Sequence, residues 1–479
     1  MDTGLIVFLL VCVPLVGSFV LPLIGRFSEE TRNLTAIFFV LVSLVACIFL
    51  VPIVMAGETI TVQIAGHNLF FADKLAVFMA FVSSLVGSII VLYSFGYISH
   101  YEHRNEYYFM VVLFLGAMMG LVFSRNLIAL YLFWEITAIA CWRLIGFFRE
   151  KNYVLKADKA FLVTVFGALM MLLGFIIVAN QAGSFDIGTI VKNLNGRHIS
   201  NYAVLFILAG ILSKSATVPL HTWLPDAGVA PSPVTALLHA AVLVKIGVYV
   251  YARLFVASFE IDAMWHTIVP VIAGISALVS AGAAMIETDL KRIIAYSTIS
   301  QIGFIFLGLA IGNDVGIAGG LLYILMHSIA KGGLFLCAGI VEQNAKTKDI
   351  TKMGGLITVM PITAISFILC AFSVMGIPPF GGFFSKYMVM AGALNAGQIL
   401  ITMTFLVGAF MTIIYLFRVF VMIFLGESKG SIVNVKEGSQ VMVFSVALLA
   451  MLSLACGIFI KIPFDFVQSA VSQMTGGLL

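Results

Sequence analysis

Long apolar runs dominate this chain and recur at nearly regular intervals. A helix that crosses a bilayer needs roughly 20 mostly apolar residues. The 479-residue chain offers fourteen such runs, starting near residues 4, 32, 73, 108, 126, 159, 202, 232, 266, 294, 316, 357, 399 and 440. They predict an all-α polytopic membrane protein. Between runs two and three, "AGETITVQIAGHNLFFAD" alternates polar and apolar residues, the period of a strand, and predicts a short surface hairpin. The opening "MDTGLIVFLLVCVPLVGSFVLPLIGRF" lacks the basic region and small-residue cleavage site of a signal peptide, and the Arg- and Ser-rich look of a transit peptide. It reads as a first span retained in the mature protein.

Two of the runs are interrupted. In "GILSKSATVPLHTWLPDA", Lys214 sits inside the apolar run, with Pro219 and Pro225 close behind; "FSVMGIPPFGGFFSKYMVMA" repeats the combination around Lys386. Lys386 follows Lys214 by 172 residues, and Arg418 follows Lys245 by 173. Spans four to eight and nine to thirteen then read as two repeats. With five members each, the second must be inverted relative to the first. The corresponding division is 1–107 for the first three helices, 108–257 and 258–425 for the repeats, and 426–479 for helix 14 and the C-terminus. Paired broken segments in inverted repeats point to a transporter's working site. A proline removes a backbone donor and frees carbonyls for water or side chains, and water beside a lysine gives its proton somewhere to go.

Composition narrows the chemistry. Residues are 62% hydrophobic and 10% charged, far below the quarter or so charged in soluble domains. The six cysteines lie in apolar stretches with no C-x-x-C pair, against a disulfide framework, a zinc site or an iron–sulfur cluster. There is no Walker motif, G-x-G-x-x-G or nucleophile elbow. The expectation is a chain without its own cofactor or metal and without a nucleic-acid partner, working by protonation or ion binding in the lipid bilayer.

Charge placement sets the orientation. Fourteen basic residues fall in loops on one side: Arg26, Arg32, Arg104, Arg149, Lys151, Lys156, Lys159, Lys291, Arg292, Lys346, Lys348, Lys352, Lys429 and Lys436. Five fall on the other: Lys74, Arg125, Lys192, Arg197 and Lys461. The first side is predicted cytoplasmic, with both termini outside. The remaining seven of the 26 lie within spans, where a cation at the bilayer centre costs about 2.5–3.5 kcal/mol. Arg143, Arg253 and Arg418 lie near span ends and read as snorkelling; Lys214, Lys245 and Lys386 do not.

The span lysines Lys214, Lys245, Lys331 and Lys386 share the membrane interior with Glu135, the one acid clearly inside a span, in "NLIALYLFWEITAIACWRLIGFF". A neighbouring lysine would hold that carboxylate ionised, so Glu135 and Lys214 read as a switch pair, against the alternative of a static pair that fixes packing. His239 precedes Lys245 by six residues, about 9 Å of helix rise, and His327 precedes Lys331 by four, on one helix face. Histidine exchanges protons near neutral pH, which suits a relay between lysines, although a lone helical histidine is often only structural. His221 and Asp226, beside the first break, read as an entrance gate or a helix cap. The whole set falls on spans five, seven, eight, eleven and twelve, a polar line across the middle of the membrane.

At these motifs the chain resembles a known family. "LFWEITAIACWRLIGF", "KSATVPLHTWLPDAGVAPSPVTALLHAAVLVKIGVY", "DLKRIIAYSTISQIGF", "LMHSIAKGGLFLCAGIV" and "GIPPFGGFFSK" are similar to the antiporter-like subunits shared by respiratory complex I, Mrp-type cation/proton antiporters and membrane-bound hydrogenases. The resemblance covers nearly all fourteen spans. It implies two inverted five-helix repeats with a broken helix in each. It also implies a relay of Glu135, Lys214, Lys245, His327 and a terminal Lys386. Arg143, two turns beyond Glu135, departs from the expected smaller or neutral residue and reads as tuning Glu135 or binding a neighbour. The chain also stops soon after span fourteen, where some relatives continue into a long lateral helix.

The function expected is a subunit that translocates protons, with Na+ exchange as a further form. It would belong to a multi-subunit respiratory-type complex in a prokaryotic cell (inner) membrane. Its partners would be other membrane subunits, and it would act as a translocase with no redox site of its own. The helix-five motif favours a membrane-bound hydrogenase-type or Mrp-type complex. A complex I subunit, a non-pumping scaffold and a self-sufficient antiporter are the alternatives.

Overall fold

The computed structural model describes residues 3–64, 66–427 and 436–476; Lys429, counted above with the cytoplasmic loops, lies outside them. Among the described residues, twelve helices are long and apolar enough to cross a membrane. They are α1 Thr3–Phe27, α2 Glu29–Met55, α3 Lys74–His100, α4 Arg104–Phe123, α5 Leu127–Ile145, α6 Lys151–Ala182, α8 Ser232–Val256, α9 Trp265–Ile286, α10 Leu290–Ala310, α11 Asp314–Ala345, α13 Ile399–Phe424 and α14 Gln440–Ile458. The other two spans are broken. Helix α7 runs over Asn201–Lys214 and resumes at Trp223–Asp226; α12 runs over Pro361–Met375 and resumes at Gly381–Asn395.

Every start falls within eight residues of its predicted place. The largest difference is at α6, whose first turns carry Lys151, Lys156 and Lys159 and are therefore not part of an apolar run. The hairpin forms as β1 Ile60–Ile64 against β2 His67–Ala72, antiparallel. A last helix, α15 Lys461–Thr475, folds back on the start of α3, where Lys74 donates from its backbone N to Gln473 Oε1 (3.0 Å) and from Nζ to Ser469 Oγ (2.6 Å).

Two pairs of loops make the inverted repeat visible. Before α5, Leu127 N donates to Phe185 O (3.0 Å), and Ile187 N donates to Arg125 O (2.9 Å). Before α10, Leu290 N donates to Lys348 O (2.9 Å), and Ile350 N donates to Thr288 O (3.0 Å). All four positions shift by 163 residues, and five crossings apart they lie on opposite faces of the membrane. Each break holds a cis X–Pro bond, at Val218–Pro219 and Pro378–Pro379.

That register separates the two lysines within the fourth helix of each repeat, where both were expected. The lysine offset of 172 is nine residues longer than the loop offset, so Lys214 and Lys386 do not occupy matching rungs. Lys214 ends the half of α7 before its break, whereas Lys386 lies in the half of α12 after its break. The two halves of α12 approach closely at Gly382, where a Cβ would collide with the Ser373 carbonyl oxygen.

Burial runs from wall to core. The apolar stretches of α8 and α11 are wholly buried and that of α10 nearly so, while α1, α2 and α13 turn most of theirs outward. The helices sealed most completely from lipid carry Lys245, His239, His327 and Lys331. Protein, not hydrocarbon, surrounds these cations, which is where such groups are tolerated in membranes.

Candidate functional site

The site is a line of buried polar side chains that starts on α5. Glu135 is half-buried there, and its Oε1 meets no hydrogen-bond partner among the described residues. Lys214 is fully buried. Its Nζ donates to the carbonyl of Trp134 (3.1 Å) and lies 5.1 Å from the centre of that indole. Lys214 thus reaches from α7 to the residue before Glu135 on α5 but bonds its backbone, and the expected ion pair is not formed. The backbone oxygen and the indole face coordinate the amine, while the Glu135 carboxylate is hydrogen-bonded by Tyr131, one turn earlier on α5.

The centre of the line is on α8 and α11. Two π-helical turns, Leu237–Ala241 and Ala252–Val256, interrupt α8 on either side of Lys245. Such bulges recur at functional sites because they release backbone groups and re-aim side chains. Lys245 Nζ lies 2.5 Å from His327 Nδ1 and 3.4 Å from the His239 carbonyl oxygen. So Lys245 bonds across to α11 rather than to the ring of His239. Both ring nitrogens of His239 lack a partner among the described residues, and the ring packs on Phe335 at 4.4 Å. Lys245 and His327 are therefore in direct hydrogen-bond contact, with the imidazole tautomer setting which nitrogen donates.

Beyond the centre, Lys331 turns away from His327 and donates to Ser297 Oγ (2.6 Å) and Ile294 O (3.1 Å) on α10. Lys386 donates to Val374 O (2.7 Å), close to the end of the first half of α12. This is the break's chemistry in one contact: a carbonyl near the end of a half-helix finds an ammonium donor. Lys386 also faces the Phe304 ring at 4.7 Å and borders a cavity of ≈ 510 Å³ between α12 and α13.

Three residues read from the sequence belong elsewhere. Arg143 pairs with Glu106 of α4, which also takes Arg149 (2.7 Å), so it is held away from Glu135 inside this chain. Asp226 is clasped by Lys159 of α6 (2.7 Å) and Arg292 of α10 (2.9 Å), tying the resumed part of α7 to both repeats. His221 is half-buried in the first break, with Nδ1 unpartnered among the described residues. Sequence reasoning overlooked neutral groups on the line, Ser297, Gln301, Tyr323, Thr412 and Tyr415, because single hydroxyls and amides carry no charge penalty that flags them in an apolar run. The spacing of Ser297 and Gln301, four apart in "STISQ", was the available signal.

A helical bundle of inverted repeats, with one broken helix in each and a buried belt of lysine and histidine, defines an antiporter-like membrane subunit. Residues 124–412 match the family described as NADH:quinone oxidoreductase/Mrp antiporter, TM, and the chain belongs to that family. Residues 67–108 match a second family, NADH-ubiquinone oxidoreductase (complex I), chain 5 N-terminus. The Na(+)/H(+) antiporter subunit A1 of Staphylococcus haemolyticus (strain JCSC1435) is 33% identical, covering 97% of this chain and 62% of that protein. The subunit A1 of Staphylococcus aureus (strain JH9) is 33% identical, covering 98% and 62%. This chain therefore spans about 62% of the length of these curated relatives. In fold it is similar to a chain of the Mrp complex from Dietzia sp. DQ12-45-1b, with a TM-score of 0.91 and 22% identity over 100% of this chain and 98% of that one. It is similar also to a chain of the membrane-bound sulfane sulfur reductase, an archaeal respiratory membrane complex, with a TM-score of 0.90 and 22% identity over 98% and 97%.

Proposed function

We propose that this chain is a proton-translocating subunit of a multi-subunit, Mrp-type membrane complex, exchanging protons for Na+. The observation that carries the reading is the 2.5 Å contact of Lys245 with His327, wholly buried at the centre of the bundle. Such a contact does little for packing, since buried polar pairs often stabilise less than apolar replacements. It is suited to passing a proton on. In this reading Glu135 and Lys214 load the line, His239, Lys245 and His327 form its centre, and Lys331 and Lys386 lead out through the second repeat. The subunits A1 of Staphylococcus carry Na(+)/H(+) antiport in their names, which supports sodium as the exchanged ion.

The chain works without a redox cofactor of its own, among other membrane subunits. In this reading its two repeats correspond to residues 108–257 and 258–425, and the basic-loop bias supports termini that face away from the cytoplasm. A complex I-type subunit is the second reading, favoured by the match of residues 67–108.

Lys214→Ala tests the proposal. The complex, assembled and sealed in vesicles, is expected to lose proton movement by about 100-fold or more, the scale of a missing proton-transfer group. Native movement in an intact complex would refute a relay and favour a scaffold. Running the assay with and without a sodium gradient separates the Mrp-type reading, in which Na+ drives the pH change, from the complex I-type reading.

A further inference from the structure

Between Lys331 and Lys386 the line contains no further charged side chain among the described residues, yet it is not empty. Lys331 Nζ donates to Ser297 Oγ (2.6 Å), and Tyr415 Oη donates to the same oxygen (2.7 Å). Tyr415 Oη also reaches Thr412 Oγ1 (3.3 Å), which accepts from Gln301 Nε2 (3.2 Å). Gln301 Oε1 in turn accepts from Tyr323 Oη (2.5 Å). Lys386 Nζ lies 5.8 Å from the centre of the Tyr323 ring. Ser297, Gln301, Tyr323, Thr412 and Tyr415 are all essentially buried. Tyr323, His327 and Lys331 recur every four residues on one face of α11, so the same face carries the centre of the line and its extension.

We propose that Ser297, Tyr415, Thr412, Gln301 and Tyr323 are the proton-conducting bridge between Lys331 and Lys386, and that the Gln301 amide is the step that limits passage. The inference rests on the relay proposed above. A hydroxyl passes a proton by accepting one hydrogen and releasing the other, so one O–H bond forms as one breaks, and the group then rotates back. An amide cannot do this in place. When Tyr323 gives its hydrogen to Gln301 Oε1, Nε2 releases one to Thr412, and the amide becomes its imidic acid. The group must turn over before a second transfer of the same sense restores the amide. Two protons then cross per cycle, with every bond accounted for. A carboxylic acid at this position would accept at one oxygen and release from the other with no tautomer to undo.

A network that merely pins α10, α11 and α13 together would not distinguish these cases, which makes residue 301 the place to test. The assay is proton movement by the assembled complex in sealed vesicles. Tyr415→Phe and Gln301→Leu are expected to lower it by about 10-fold or more, while Gln301→Glu keeps or exceeds the native rate. Native movement in Tyr415→Phe and Gln301→Leu would overturn the bridge, as would a Gln301→Glu variant as impaired as Gln301→Leu. Tyr415→Phe removes one oxygen from a retained ring and decides the matter where the leucine variant does not assemble. Lys214→Ala, run beside them, separates the two failures. If it is silent while the bridge variants are native, the bridge alone is wrong; if it is native too, the relay reading falls.

Discussion

Lys245→Ala is expected to abolish proton movement, by about 100-fold or more, in a complex that still assembles. Lys245 is the side chain that joins α8 to the ring of His327, and nothing else described meets His327 Nδ1. Alanine removes the amine but suits the helix, and it takes a costly group out of the buried membrane interior, so folding should tolerate it. The sharper variant is Lys245→Arg. Arginine keeps the positive charge and the length yet does not release its proton. If Lys245 acts only as a fixed charge that holds His327, arginine should preserve transport. If it gives and takes a proton, arginine should be as silent as alanine. Vesicle pH measurements on purified complexes of equal subunit content read both directly, and a Lys245→Arg complex pumping at the native rate would sink the exchange mechanism.

The contrast between what sequence could and could not reveal follows from cost. A lysine inside an apolar run is expensive enough to stand out, so Lys214, Lys245, Lys331 and Lys386 were legible at once, and with them the membrane helices that carry them. The two breaks were legible for the same reason, since prolines inside spans leave backbone groups that something must satisfy. What the chain did not disclose was direction. Glu135 and Lys214 looked like partners because opposite charges attract, but the amine turned to the Trp134 carbonyl and indole, contacts that depend on how α5 and α7 are rotated. The repeat was found through its lysines, yet those are the residues that do not superpose; the true register lay in ordinary loop backbone, Leu127 with Phe185 and Leu290 with Lys348, which has no sequence signature. Arg253 was misread as well. Lying near the end of a span, it looked free to snorkel, and only the packing of α3 against α8 shows why it does not.

Asp73→Ala is expected to be the most destabilising single change outside the relay, by about 3–5 kcal/mol, because it strands a buried guanidinium. Arg253 holds Asp73 with two bonds, Nη1 to Oδ2 (2.6 Å) and Nη2 to Oδ1 (2.7 Å), both side chains being almost wholly buried. The same Asp73 Oδ1 caps α3 by accepting from Ala76 N (2.9 Å), a contact worth about 1 kcal/mol by itself. Arg253 Nε donates to Tyr249 Oη (3.0 Å), and Tyr249 Oη donates to the Val122 carbonyl at the end of α4. One carboxylate thus fastens α3, α4 and α8 together beside the hairpin. The size of the loss should depend on the charge left behind more than on the bonds removed. The double variant Asp73→Ala, Arg253→Met, with an apolar side chain of similar reach, should therefore recover much of the stability, since well-packed replacements of buried ion pairs are often neutral. Thermal unfolding midpoints of the native, single and double variants in one detergent test this. A double variant no more stable than the single would mean that the cap and the bridging bonds, not the stranded cation, set the cost. A single variant as stable as the native chain would mean that water reaches Arg253 and that the pair is not the fastening described.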